Sequence, residues 1–116
     1  MLFVEYPKCS TCRKAKKWLD ERGLAYEDRH IVEDNPSASE IRTWWETSGL
    51  PLRRFFNTSG MLYREMGLSK KLPELSEDEM LDILGSNGML VKRPIVVDGS
   101  TVLVGFREQE WAENLQ

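Results

Sequence analysis

Leu2-Phe3-Val4-Glu5-Tyr6-Pro7-Lys8-Cys9-Ser10-Thr11-Cys12-Arg13-Lys14-Ala15 is the stretch whose reading decides the fold. Leu2, Phe3 and Val4 form an apolar run that ends at Tyr6-Pro7. From Thr11 onward, Ala15, Trp18, Leu19 and Arg22 follow helical spacing as far as Gly23. The order is strand, loop, helix, and both cysteines of the chain stand at the join.

Working outward, Tyr26 to Val32 reads as a second strand. Ser37 with Glu40 makes a capping box that opens a helix through Ile41, Trp44 and Trp45 and stops at Gly49. Consecutive Trp44 and Trp45 place one indole inward and one near the surface. From Leu50 to Leu75 the pattern breaks into short helical pieces, Leu52, Phe55 and Phe56 in one and Leu62, Tyr63 and Met66 in another, punctuated by Gly60 and Gly67. Ser76 with Glu79 is a second capping box, and its helix runs through Met80, Ile83 and Leu84 to end near Gly85 to Gly88. Pro94-Ile95-Val96-Val97 and Thr101-Val102-Leu103-Val104 flank Asp98-Gly99-Ser100, the composition of a tight hairpin. A last amphipathic helix spans about Arg107 through Trp111 to Leu115.

This order predicts an α/β fold: a small mixed β-sheet flanked by helices, with a helical insert between a βαβ half and a C-terminal ββα half. A right-handed crossover makes the first two strands parallel. The 116 residues, 41% hydrophobic and 30% charged, suit one domain spanning 1–116 with one core, without disulfides or a structural metal. No apolar run approaches the roughly 18 residues of a membrane span, and Met1 to Tyr6 enters a strand instead of a charged leader. The expectation is a cytoplasmic monomer with no membrane partner. A net charge of −3 argues against a broad grip on nucleic acid.

In a reducing compartment the two cysteines are expected to be reactive instead of a static bridge. At a helix start, unpaired amide N–H groups and the helix dipole favour thiolate over thiol, and Lys8, Arg13 and Lys14 add positive charge. The spacing Cys9-Ser10-Thr11-Cys12 also allows a disulfide, with Cys9 as nucleophile and Cys12, one turn into the helix, as resolver. Two other readings stay open. A zinc site needs four ligands, and the chain offers only His30 as a further soft one. Alternatively, both thiols are inert, with Cys12 facing the sheet. Elsewhere, Arg93 before Pro94 is either a solvated charge or a ligand, and Pro94 belongs at a strand start. His30 reads as a hydrogen-bonded structural residue. Arg13, Lys14, Lys16 and Lys17 form a solvated helix face, and Arg53 and Arg54 are candidates to approach the thiol loop.

Tyr6-Pro7-Lys8-Cys9-Ser10-Thr11-Cys12-Arg13-Lys14-Ala15 and Leu90-Val91-Lys92-Arg93-Pro94-Ile95-Val96-Val97 resemble the two signatures of the arsenate reductase (ArsC)/Spx family. Gly49 to Asn57 and Leu62 to Leu68 resemble its helical insert, so the likeness covers nearly the whole chain. The resemblance implies a thioredoxin-like fold, a cis bond at Pro94, Cys9 as the catalytic cysteine and Arg93 as an oxyanion-binding arginine, with Arg13 flanking the loop. In the reductase branch the thiolate attacks arsenate, and glutathione with glutaredoxin completes the reduction; thioredoxin is a further candidate reductant. No bound cofactor or metal is implied. The chain departs from the reductase pattern at the histidine before the cysteine, where Glu5 stands nearby. One further family arginine falls on Asn57, and another falls near Gly105, with Arg107 close by. The second cysteine is what Spx-like members carry. There the pair is a redox switch, and the partner is the RNA polymerase α subunit. Those regulators usually add a basic C-terminal extension that these residues do not include. The implied roles are thus a thiol–disulfide oxidoreductase acting on a protein disulfide or small oxyanion, a glutaredoxin-dependent arsenate reductase, or a redox-sensing regulator.

Overall fold

The computed structural model describes residues 1–115. Strand β1, Leu2–Glu5, leads through the cysteine loop into helix α1, Ser10–Glu21, and back to β2, Glu27–His30. Helix α1 buries Cys12, Ala15, Trp18 and Leu19 along one stripe. Gly23 ends it at φ +68°, where its amide bonds the Asp20 carbonyl and that of Leu24 bonds Leu19, the Schellman pattern. Helix α2, Ala38–Ser48, and helix α5, Glu77–Ser86, both open with the capping boxes expected at Ser37/Glu40 and Ser76/Glu79. Between them lie α3, Met61–Glu65, α4, Leu68–Lys71, and 3-10 turns at Leu52–Phe55 and Leu72–Glu74. Strands β3, Ile95–Asp98, and β4, Thr101–Val104, form the hairpin, and α6, Glu108–Asn114, closes the chain.

The sheet order is β2-β1-β3-β4, with β1 and β2 parallel and the other neighbours antiparallel. Alternation along each strand sends neighbouring side chains to opposite faces. Phe3, Val96 and Leu103 pack with Trp18, Leu19 and Trp111 under α1 and α6. On the other face, Val4, Ile95, Val102 and Val104 meet α2, α5 and the insert through residues such as Ile41, Phe55 and Leu84. Trp44 belongs to this second core, with Trp45 partly buried at its edge. Among the described residues no helix is long and apolar enough to cross a membrane.

Strand β2 is shorter than the expected Tyr26–Val32 because His30 turns the chain. Its Nδ1 accepts the amides of Val32 and Glu33, each at 3.1 Å, and its carbonyl accepts the amide of Asp34. Helix α6 begins one residue late, leaving Arg107 extended at the N-cap.

One isolated bridge carries the insert to the site. Phe56 pairs with Val91, the Lys92 amide donates to the Phe55 carbonyl at 2.8 Å, and the Asn57 amide donates to Leu90 at 2.8 Å. Just before this segment Gly88 passes over the end of β2, where a Cβ would lie 2.0 Å from the Ile31 carbonyl oxygen. Backbone must shift to admit any side chain there. Gly88→Ala should therefore lower unfolding stability by about 2 kcal/mol or more in urea titration. Gly23→Ala, at a left-handed position with nothing within 4 Å, should cost about 1 kcal/mol. Equal losses would contradict the close approach.

Candidate functional site

Cys9 is the N-cap of α1, extended at φ −85° and ψ 123°, and its amide donates to the Tyr6 carbonyl at 2.9 Å. The turn Tyr6-Pro7-Lys8 thereby delivers the sulfur to the open end of the helix. No acidic residue occupies the first turn of α1 to compete for its amides. Burial raises the Cys9 pKa, but the Cys12 amide, the Cys12 thiol, the Arg93 guanidinium and the Thr11 amide together outweigh it, and the thiol ends below its ordinary value.

Cys12 is the opposite case. It is 1% exposed, and burial above all, with the neighbouring Cys9 as a further cause, pushes its thiol up to about 12. One helix turn thus separates a half-buried thiol whose pKa is lowered from a buried one whose pKa is raised.

Cys9 opens into a cavity of about 390 Å³ walled by Arg54, Lys92, Arg93 and Arg107, with Asn57 and Ser59 among its polar groups and no carboxylate. None of the four cations has an acidic partner among the described residues. The Arg93 guanidinium stands over the Tyr6 ring at 5.0 Å and donates to the Met89 carbonyl at 3.4 Å, which fixes its plane beside the thiol loop. Arg93-Pro94 is a cis peptide, and the Pro94 carbonyl accepts the Gly105 amide at 2.8 Å. The Gly105 carbonyl in turn accepts from Trp111 Nε1 at 3.0 Å. Core packing of an aromatic residue therefore holds one wall of the cavity.

This pairing of a thiol at a helix N-cap position with a cationic wall beside a cis-proline coincides with a family match over residues 4–114, described as the ArsC family. The chain belongs to the ArsC family. It is 54% identical to uncharacterized protein YusI of Bacillus subtilis over 98% of this chain and 97% of that one. It is 28% identical to the global transcriptional regulator Spx of Staphylococcus aureus over 90% of this chain and 78% of that one. The crystal structure of an ArsC family related protein from Bacteroides fragilis superposes with a TM-score of 0.94 at 54% identity, covering 97% of this chain and 94% of that one. That of a possible arsenate reductase from Streptococcus mutans gives 0.87 at 47%, covering 96% of each chain. The fold is accordingly thioredoxin-like.

Within this ArsC chain, Cys9, Arg93 and Arg107 line one cavity, with Cys12 buried beside Cys9 and Pro94 joined to Arg93 by the cis bond. Arg13 does not join it. A step of about 100° per residue along the helix turns Arg13 away from the cavity. It lines a separate hollow with Glu5, Lys16, Asp28 and His30. Among the described residues, no three His, Cys, Asp or Glu side chains gather to hold a metal. Of the two candidates in the insert, Arg54 lines the thiol cavity and Arg53 does not; Lys92, for which the sequence offered no role, lines it too, and the bridge between Phe56 and Val91 holds the two segments together.

The second hollow of the ArsC chain contains a buried acid. Glu5 is 4% exposed, and burial first, then a hydrogen bond to Asp28 and that residue's charge, raise its pKa to about 7 despite Lys16 at 3.9 Å. Asp28 keeps its charge, with Lys16 Nζ at 2.8 Å, and its pKa lies below the ordinary value. Because the folded pKa of Glu5 exceeds its unfolded one, its stabilisation is complete in acid and is lost as pH rises through about 7. Glu5→Gln should remove this loss, gaining on the order of 2 kcal/mol relative to the parent between about pH 5 and pH 8 in urea titrations. Parallel pH profiles for the two proteins would show that Glu5 ionises normally.

Proposed function

We propose that the chain is a thiol–disulfide oxidoreductase that cycles Cys9 and Cys12 between dithiol and disulfide. The single observation that carries this is the half-buried Cys9 facing a cationic cavity with Cys12 sealed behind it on the same helix turn. The Cys9 thiolate attacks one sulfur of a substrate disulfide, forming a mixed disulfide while the other substrate sulfur leaves as a thiolate. Cys12 then loses its proton and attacks the Cys9 sulfur. The second substrate thiolate departs, leaving protein disulfide and reduced substrate.

The contrast in the two thiols gives this order a physical cause. Burial is the main cause that keeps Cys12 protonated, but the Cys9 sulfur adds to it by its charge and hydrogen bond. Once Cys9 is bound in a mixed disulfide its charge is gone, and Cys12, still facing Arg93, ionises more easily. The resolver is thus switched on by the first step. A cellular dithiol of the thioredoxin or glutaredoxin kind, or glutathione, restores the reduced state in the cytoplasm.

A second reading, reduction of an oxyanion such as arsenate, is favoured by one specific observation: four cations without acidic partners surround the thiol. There Cys9 adds to arsenic with loss of water. A second thiol attacks the Cys9 sulfur, the sulfur–arsenic bond breaks, and its electron pair reduces arsenic.

Intact-mass measurement tests the first reading. A small-molecule disulfide should convert the parent to a form about two mass units lighter. Cys12→Ser should accumulate the mixed disulfide, and Cys9→Ser should do neither. A parent that loses no mass, or a Cys9→Ser variant that accumulates the mixed disulfide at Cys12 as readily as Cys12→Ser does at Cys9, would overturn the assignment. Thiol-coupled turnover of arsenate lost in both Arg93→Ala and Cys9→Ser would establish the oxyanion reading, and no turnover at millimolar arsenate would remove it.

A further inference from the structure

Next to the thiol cavity lies a larger one, about 490 Å³, which the thiol chemistry does not use. Its floor is apolar, built from buried Phe56, Tyr63 and Leu72. Its cations are Arg53, Arg54 and Lys92, with no carboxylate in the wall and no acidic partner for any of the three among the described residues. Arg54 and Lys92 also line the Cys9 cavity, so the two spaces share a wall. In a chain of net charge −3, unneutralised cations over an aromatic floor call for an anionic ligand with an apolar body.

We propose that this cavity seats one half of a small-molecule disulfide, an apolar or aromatic group bearing a carboxylate, while its sulfur–sulfur bond is presented to Cys9. The inference rests on Cys9 being the attacking thiolate and adds the substrate class. The apolar group leaves water against Phe56 and Tyr63, and its carboxylate meets Arg53 or shares Arg54 and Lys92. Cys9 attacks the sulfur of the seated half, which becomes the mixed disulfide, and the other half leaves as a thiolate that accepts a solvent proton. Cys12 then displaces the seated half, so the protein is oxidised by two electrons and the substrate is reduced.

The test follows the rate of Cys9 modification by three disulfides in rapid mixing: 5,5′-dithiobis(2-nitrobenzoate), aromatic and anionic; dithiodiglycolate, anionic without a ring; and 2,2′-dithiodipyridine, aromatic and neutral. Arg53 and Ser69 line the larger cavity and not the thiol cavity, so Arg53→Gln and Ser69→Trp alter the charge and the space without touching Cys9. Each should slow the aromatic anionic probe by about threefold or more and leave the neutral probe within about twofold. Dithiodiglycolate should respond to Arg53→Gln but not to Ser69→Trp. In the unaltered protein, 2-naphthoate should protect Cys9 from the nitrobenzoate disulfide where acetate at equal concentration does not. That arm needs no variant to fold.

Equal rates for all variants with every probe, and no protection by naphthoate, would overturn the cavity assignment while leaving Cys9 as a nucleophile. Slow reaction of Cys9 with all three probes at neutral pH would instead overturn the thiolate reading on which the inference stands.

Discussion

A sulfur atom at the open end of α1 is the point on which the rest of the structure turns. Helix N-termini present amide groups without intrahelical partners, and an anion there gains both hydrogen bonds and the favourable end of the dipole. Cys9 is half buried, which by itself would favour the neutral thiol, so the amides of Thr11 and Cys12 and the Arg93 guanidinium must more than offset desolvation. For Cys12 the deeper burial, with Cys9 adding to it, outweighs the lowering effect of the Tyr6 backbone and of Arg93, and the thiol stays protonated. The same helix turn therefore carries one thiol that is shifted toward ionisation and one that is shifted away from it.

The fold delivers that arrangement through its two faces. One core, under α1 and α6, anchors the helix that carries the thiols and, through Trp111, holds Gly105 against the Pro94 carbonyl. The other core seats the insert, whose bridge from Phe56 to Val91 lays Arg54 beside Lys92 and Arg93. The charge around the sulfur is thus gathered from segments far apart in sequence. Burial of Phe55, Phe56, Val91 and Trp111, each at most 1% exposed, is what keeps those cations near one another despite their mutual repulsion.

Local signals account for most of what could be read before any coordinates. Capping boxes at Ser37 and Ser76, the hairpin at Asp98-Gly99-Ser100 and the helical spacing after Cys12 are determined within a few residues, and the corresponding elements formed. Strand β2 ended early because a side chain, His30, competed for backbone amides, an effect no hydrophobic pattern records. Around the thiol, the place of Cys9 and Cys12 at the helix start is legible from local pattern, Arg93-Pro94 from the resemblance to the second family signature, and Arg107 only as a neighbour of Gly105, where a family arginine is missing; Cys9, Arg93 and Arg107 line one cavity. Arg13 lies close to Cys9 along the helix yet lines a different hollow, since proximity along a helix is not proximity in space. Arg54 was a candidate from the sequence and does line the thiol cavity, whereas the arrival of Lys92 there and the pairing of protonated Glu5 with charged Asp28 depend on long-range contacts that neither composition nor spacing encodes.

The most direct test of the account is a titration of thiolate absorbance near 240 nm on the reduced protein. A first ionisation below the free-cysteine value of about 8.5 is expected, absent in Cys9→Ser and shifted upward in Arg93→Ala. A first step at or above that value, unmoved by removing Arg93, would contradict the claim that backbone amides and guanidinium hold Cys9 as an anion.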